Sequence, residues 1–337
     1  MPIIPVGRFI RVNNGPTLHE RTSRLRNPKD PAMPTANPPR VSVIIPCLNH
    51  GQFVEQAICS ALDQGYDNLE LIVLDGGSED DSVDILNMYD DDLTYWHSEW
   101  DSGPAEAINA GLVKSTGEIV CILAADDVLL PGAIEHAVHR MAREDKPKWL
   151  VGGAHKIGPL DESLGSMTPS SPASLAGYLM HDSGHMPMSA SFFRRELFED
   201  YAGLQTNLQY AWSFEIAARF LAADVWPELS SLTFAAVRDM GSPSPVPTTL
   251  AKGIEYIEAA ESYANHLSLP QRYQLWRNCD ERRRIYALAE AECQESPGRM
   301  FLWQQLLRRP WWLGSAHYRQ TLLKGVESLP DTLRDAA

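Results

Sequence analysis

The chain has 337 residues, of which 44% are hydrophobic and 22% charged, and its formal net charge is −15. That length suffices for a full α/β core with an appended segment, and no apolar run reaches the roughly 18 residues of a spanning helix. The acid excess argues against nucleic acid as a general partner. The start, Met1-Pro-Ile-Ile-Pro-Val6, has no signal-peptide layout, so a cytoplasmic location is expected. Cys47, Cys59, Cys121, Cys279 and Cys293 lack paired metal spacing and read as reduced thiols.

Charge is unevenly spread. Residues 1–40 carry Arg8, Arg11, Arg21, Arg24, Arg26, Lys29 and Arg40 against Glu20 and Asp30, and five prolines lie between Pro28 and Pro39. Residues 1–39 therefore read as an extended basic, Pro-rich arm: either a poorly ordered terminus or a contact to a partner or an anionic lipid surface.

From Val41 the pattern alternates buried strands with helices. Val41–Pro46 is β-branched, short and closed by proline, as a strand buried on both faces would be. Phe53, Val54, Ala57, Ile58, Ala61 and Leu62 recur at helical spacing. Leu69–Leu74 forms a second strand that stops at Asp75, and Gly-Gly-Ser-Glu-Asp-Asp leads into a helix over Ser82–Tyr89. Leu93–Trp96 is a short third strand, and Gly103–Val113 is helical, with Pro104 suited to a first turn. Glu118–Leu123 is a fourth strand ending in Ala-Ala-Asp126-Asp127, and Leu129-Leu-Pro131 opens another helix.

Strands separated by helices of this length predict parallel pairing, and ligands bind beyond the carboxyl ends of such strands. Asp75, Asp126 and Asp127 would then face one crevice. A carboxylate after a strand can equally cap the next helix. Two adjacent carboxylates repel each other, however, and a hard divalent cation shared with phosphate oxygens is the usual compensation.

Taken together the pattern resembles the family 2 inverting glycosyltransferases of the GT-A fold. The resemblance is carried by Val41-Ser-Val-Ile-Ile-Pro-Cys-Leu-Asn49, Leu71-Ile-Val-Leu-Asp-Gly-Gly-Ser78, Ser98-Glu-Trp-Asp-Ser-Gly103, Ala107-Ile-Asn-Ala-Gly111 and Gly117–Asp127 with Leu130-Pro131. It implies a Rossmann-like, mostly parallel α/β sheet flanked by helices, with a catalytic domain over 40–240 and a C-terminal helical region over 250–337. The nucleotide-binding half would span about 40–131 and the acceptor half about 150–240.

By the same resemblance, Pro46, Cys47 and Asn49 would line the nucleotide pocket and Asp75 would accept a hydrogen bond from the base. Asp126 would sit beside the donor sugar or ribose in a catalytic role, Asp127 would ligate Mn2+ or Mg2+, and Asp101 and Asn109 would wall the donor sugar, with helix capping as the competing account. The implied partners are a nucleotide-sugar donor, most simply a uridine one, and a glycan or lipid-linked acceptor. The activity would be inverting sugar transfer in polysaccharide or glycoconjugate synthesis.

Fainter likeness continues through Met188–Phe198 and Tyr210–Phe220, where the chain departs from the pattern. Ser213 stands where relatives commonly place the aspartate that takes the acceptor proton, and serine has no useful basicity near neutral pH. Glu215 is the nearest substitute; the alternative is that it pairs with Arg219 at i+4. Ala124 opens the metal motif where relatives have Asp or Asn, and Met240 lies near a position where some supply a histidine. These departures leave open a protein that binds nucleotide or glycan without turnover. A nucleotidyltransferase is disfavoured, because no Gly-rich loop with a following arginine and lysine follows the first strand.

His155, His181 and His185 read as bystanders. Pro159–Pro172 reads as a lid-like loop, Leu175–Met180 as a short helix, Ser230–Val237 as an added edge strand and Gly241–Pro247 as an exit linker. Arg282-Arg-Arg284 reads as a solvated helix face. The run Met300–Leu313, aromatic and basic around Pro310, suits either a peripheral membrane contact at the inner face or packing onto the catalytic domain or a second subunit.

Overall fold

A computed structural model describes residues 38–143, 147–181, 186–240, 246–293 and 297–323. Most of the basic arm and most of the exit linker fall outside these residues, as does His185. The chain divides into two compact units, one holding residues up to Tyr178 and from Asp182 to Ser242, the other holding Leu179–His181 and everything from Pro243.

In the first unit, β1 (Val41–Cys47), α1 (Val54–Leu62), β2 (Leu69–Asp75), α2 (Ser82–Met88), β3 (Tyr95–Ser98), α3 (Pro104–Lys114) and β4 (Ile119–Ile122) follow one another. The elements match the alternation in the sequence, except that β3 begins two residues later than Leu93. β1 pairs in parallel with β2 on one side and β4 on the other, and β2 with β3. Val41, Val43, Ile44 and Ile45 are fully buried, as a central strand covered on both faces requires. Each such side chain contributes on the order of 1.5–3 kcal/mol by leaving water. α3 lies so close to this strand that a Cβ on Gly111 would stand 2.5 Å from Ile44 Cγ2, so only glycine lets the helix seat there.

After β5 (Val128–Leu129) and α4 (Ala133–Met141) come β6 (Trp149–Ile157), β7 (Ser163–Met167), α5 (Leu175–His181), β8 (Ser191–Arg194), α6 (Glu196–Asp200), α7 (Trp212–Ala222) and β9 (Glu228–Arg238). The strand order is β3-β2-β1-β4-β8-β6-β9-β5, with β7 paired to β6. The sheet changes character at β8, which is antiparallel to both β4 and β6, while β6 and β9 run parallel. Two expectations are corrected. The 159–172 stretch is not a free lid, because Ser163–Met167 pairs with β6 as a hairpin. β9 is not an edge strand, because it lies between β6 and β5. Neither β7, exposed and Ser/Gly-rich, nor the partner choice of β9 leaves a periodic signal in one sequence.

The second unit is helical: α8 (Val246–Ser262), α9 (Leu269–Cys293), α10 (Pro297–Arg308) and α11 (Ala316–Leu323). α8 begins inside the stretch read as a linker. Leu288, Leu302, Leu306, Trp312, Tyr318 and Leu322 form its core. Arg283 is not on a solvated face: its guanidinium makes two 2.6 Å hydrogen bonds to the Glu261 carboxylate. The Met300–Leu313 run splits between roles. Trp312 is buried, whereas Trp303, Leu307 and Trp311 are exposed.

Candidate active site

The parallel strands fix where chemistry can occur. Cys47 and Asp75 are register partners at the carboxyl ends of β1 and β2, and Asp126 and Asp127 follow the carboxyl end of β4, the other neighbour of β1. The three acids thus leave the sheet at one edge. The opposite edge carries a cavity of about 260 Å³ lined by Tyr66, Asp67, Leu69, Leu71, Asp92 and Thr94, where none of the candidate residues lies.

Asp75 is 2% exposed and organises its own turn. Its Oδ2 accepts from the backbone N–H groups of Gly77 (3.1 Å) and Ser78 (2.9 Å) and from the Ser98 hydroxyl (2.7 Å), and its Oδ1 from the Ser78 hydroxyl (2.5 Å). Oδ1, with one partner against three, is the oxygen left to meet a ligand N–H. Gly77 has φ +84°, a conformation open to glycine at little cost.

The β1 loop is tied to this turn. Asn49, at φ +54°, donates its N–H to Ser78 Oγ (2.7 Å) and accepts at Oδ1 from Glu79 N–H (2.9 Å). Gly51 N–H donates to Asp80 Oδ2 and His50 N–H to Ser82 Oγ. The Cys47 thiol is buried, and burial together with the charge of Asp75 pushes it up to about 12. It stays protonated, and only the Cys47 carbonyl joins the network, accepting from Gly76 N–H at 2.9 Å. Pro46 is partly exposed beside it.

Asp127 is 6% exposed. Its Oδ2 accepts from the Ser189 hydroxyl at 2.5 Å and its Oδ1 from the Arg238 backbone N–H at 2.8 Å. Burial, with the adjacent Asp126 charge adding to it, pushes its carboxyl up to about 7 against those bonds and the nearby Arg238 charge. Asp126 is partly exposed and accepts at its backbone carbonyl from Arg238 Nε (2.9 Å). Two adjacent carboxylates, one of them short of compensation, suit a hard cation that draws its remaining ligands from phosphate and water. Among the described residues no group of three His, Cys, Asp or Glu side chains could hold a metal, so the donor set fits an ion shared with a bound diphosphate and not one caged by protein alone.

The remaining candidates separate. Asp101 packs on the Asp75 turn: a Cβ on Gly76 would stand 2.9 Å from its Oδ2. Its Oδ1 accepts from Gly103 N–H (2.8 Å). Burial raises its carboxyl above the ordinary range, with the charges of Glu106 and Asp75 adding and the Gly103 bond opposing. Asn109 is turned away from a donor role. Its amide both donates to the Leu204 carbonyl and accepts from the Leu204 N–H, each at 2.8 Å, clamping α3 to a loop 95 residues on.

Glu215 is 1% exposed on α7. Its Oε2 pairs with Arg219 Nη2 at 2.5 Å, and its Oε1 accepts from Arg219 Nε (3.1 Å) and Gln205 Nε2 (2.9 Å). The i+4 pairing named as the alternative is therefore formed, and it occupies the carboxylate expected to take a proton. Met240 is 49% exposed, and His155 contacts Ser166 Oγ at 3.2 Å across the β6–β7 hairpin.

Sequence reading missed Ser189 and Arg238. Ser189 lies in a short helical turn before β8 and supplies the hydroxyl on Asp127. Arg238 ends β9 and holds the turn between the two acids. The only signal for either was position: a serine within Met188-Ser-Ala-Ser, and a cation closing an apolar strand.

Comparison with known proteins gives a consistent picture. A family model described as Glycosyl transferase family 2 matches residues 42–202. An uncharacterized glycosyltransferase of Rickettsia prowazekii is 36% identical over 113 residues, 34% of this chain and 35% of that protein. One from a Nostoc species is 28% identical over 172 residues, 48% of this chain and 52% of its own. The matches thus span about half or less of these relatives. Among solved structures, residues 1–349 of S. aureus TarS superpose with a TM-score of 0.56 at 14% identity, covering 87% of this chain and 93% of that one. The mannosyltransferase PcManGT from Pyrobaculum calidifontis, in complex with GDP-Man and Mn2+, gives 0.51 at 18% identity over 93% and 94%. At these identities the likeness establishes the α/β fold with its mostly parallel sheet.

Proposed function

We propose, from the match of residues 42–202 to glycosyl transferase family 2, that this chain transfers a sugar from a nucleoside diphosphate donor, with inversion, to a hydroxyl of a glycan or lipid-linked acceptor. The observation that carries this reading is the emergence of Asp75, Asp126 and Asp127 at one edge of the sheet, after the two parallel strands that flank β1. TarS has been crystallised with UDP-GlcNAc and PcManGT with GDP-Man and Mn2+, which supports a nucleotide sugar as donor and a uridine base as the first to test.

In this reading the Asn49–Gly51 loop and the Asp75 turn hold the base, with Asp75 Oδ1 accepting its N–H. Asp127, with Asp126 beside it, would hold Mn2+ or Mg2+. When bound, that ion offsets charge building on the departing diphosphate. The remaining acceleration comes from orientation, because the acceptor oxygen must approach the anomeric carbon in line with the leaving group.

Glu215, held by Arg219 and Gln205, keeps α7 in place. Asp101 packs against the turn given to the base and walls the donor on that side. Among the described residues no helix is long and apolar enough to cross a membrane. Exposed Trp276, Trp303, Leu307 and Trp311 in the helical unit support peripheral contact with a membrane that carries the acceptor; flotation with anionic vesicles tests it.

The second reading, a binder without turnover, is favoured by the pairing of Glu215 together with Ser213, Ala124 and Met240. Calorimetry with UDP and GDP, with and without Mn2+, followed by donor hydrolysis assays, separates the two. Binding with hydrolysis supports the transferase; binding without hydrolysis or transfer to any acceptor supports the binder. The absence of nucleotide binding overturns both.

A further inference from the structure

The side chain that joins the two halves of this edge lies far from both in sequence. Arg238 is 7% exposed, and every nitrogen of its guanidinium is engaged. Nε donates to the Asp126 carbonyl (2.9 Å) and Nη1 to the Gly158 carbonyl (2.8 Å). Nη2 donates to Gln56 Oε1 (2.9 Å) and lies 2.8 Å from Asp161 Oδ1 as an ion pair. The guanidinium carbon stands 4.4 Å from the centroid of the Phe53 ring, and the Arg238 backbone N–H binds Asp127 Oδ1.

These contacts touch three separate parts. Phe53 and Gln56 begin α1, directly after the Asn49–Gly51 loop. Asp126 and Asp127 form the turn after β4. Gly158 and Asp161 cap the β6–β7 hairpin, with Asp161 at φ +62°.

We infer that Arg238 is a positioning residue: it sets the Asp126–Asp127 turn at a fixed distance from the nucleotide loop, so that a nucleoside diphosphate and a divalent cation bind as one unit. A planar fork that reaches four acceptors on three elements while stacking on an aromatic face does this at one position, and a lysine, a point charge on a flexible stem, does not. The guanidinium is spent on protein, so its effect on a ligand passes through the carboxylate turn. This inference rests on the nucleotide-sugar reading above.

The test is calorimetric titration of UDP into the full chain, with and without Mn2+, for wild type, Arg238→Gln, Arg238→Lys and the distant control Glu70→Gln, with melting temperatures in parallel. Wild type is expected to gain at least about tenfold in UDP affinity from Mn2+, in line with the 10–100-fold effects of residues that orient metal ligands. Arg238→Gln should keep its cation-free UDP affinity and lose that gain, Arg238→Lys should recover part of it, and Glu70→Gln should retain all of it.

If Arg238→Gln does not fold, Gln56→Leu removes one acceptor of the same fork and should show a smaller loss of the gain. Full retention of the Mn2+ effect in a folded Arg238→Gln or Gln56→Leu overturns the inference, as does an equal loss in Glu70→Gln. A wild type that binds no UDP or GDP under any condition overturns the donor reading itself, which is a different result from these.

Discussion

Asp127 and Glu215 are both acids buried in the same unit, and each follows an apolar stretch that cannot solvate a charge. Glu215 meets a guanidinium through two oxygens and an amide through a third bond. Asp127 meets one hydroxyl and one backbone N–H, with a second carboxylate beside it, and its carboxyl is pushed up to about 7. A buried charge without a counter-ion is strongly disfavoured unless something neutralises it. The difference teaches which acid the protein compensates more fully: Glu215 has a direct ion pair with Arg219, whereas Asp127 has two hydrogen bonds and only the nearby charge of Arg238. Perturbation of this kind collects at functional sites.

The comparison breaks most visibly through Arg219. Arg219→Met leaves Glu215 buried without its counter-ion and should cost about 3–5 kcal/mol of stability, read from urea denaturation. A loss under about 1 kcal/mol, the range of exposed pairs, would mean that Glu215 is solvated and free to act on substrate. Asp127→Asn probes the other side. Transfer from a UDP-sugar should fall on the order of 10²- to 10³-fold, the range for losing one electrostatic element at a reacting centre, while the melting temperature holds or rises because a buried charge has gone. A fall in stability with full activity would assign Asp127 to the frame.

Glu215→Gln sharpens the contrast with a smaller effect. The amide keeps the shape but loses the ion pair, so stability should drop by about 1–3 kcal/mol with kcat unchanged. Asp101→Asn, beside the turn given to the base, should instead raise the donor KM with little change in kcat or stability. If Glu215→Gln abolishes kcat in a folded protein, Glu215 is the general base.

How far this was legible in the sequence follows the same division. The parallel half could be read because β1, β2 and β4 are short, mostly apolar runs, with Asp75 closing β2 and Asp126 following soon after β4, and strand ends of a parallel sheet share an edge. Glu215 could not be decided, because its burial and its Gln205 contact depend on the 205–211 loop and not on helical spacing. Arg238 was invisible for a related reason: β9 reaches the carboxylate turn only because it is parallel to β6 and paired to β5, and no local pattern encodes that crossover. Asn109 misled because the resemblance puts its segment beside the donor, whereas the partner its amide meets, Leu204, lies 95 residues away.

A third buried acid, Glu70, tests whether compensation by ligand-free protein can be complete without a buried cation. It sits on β2, five residues before Asp75 and toward the far edge of the sheet. The carboxylate accepts from the Ser42 hydroxyl (2.6 Å), the Thr116 N–H (2.7 Å) and hydroxyl (2.6 Å) and the Gly117 N–H (3.2 Å), with the half-exposed Arg40 3.5 Å away. Burial raises its carboxyl, but these bonds and the Arg40 charge together outweigh burial and hold it below the ordinary value of 4.5.

A folded value below the unfolded one means that Glu70 stabilises the protein above pH 4.5 and that this contribution is lost as pH falls through the folded value. Wild type should therefore lose more stability than Glu70→Gln between pH 6 and the acid side of 4.5, measured by urea denaturation at each pH. The two curves converge once the wild-type carboxyl is protonated. Parallel curves would mean that the hydrogen bonds do not favour the ionised form, and that a buried acid in this fold needs a directly paired cation, as Glu215 has in Arg219.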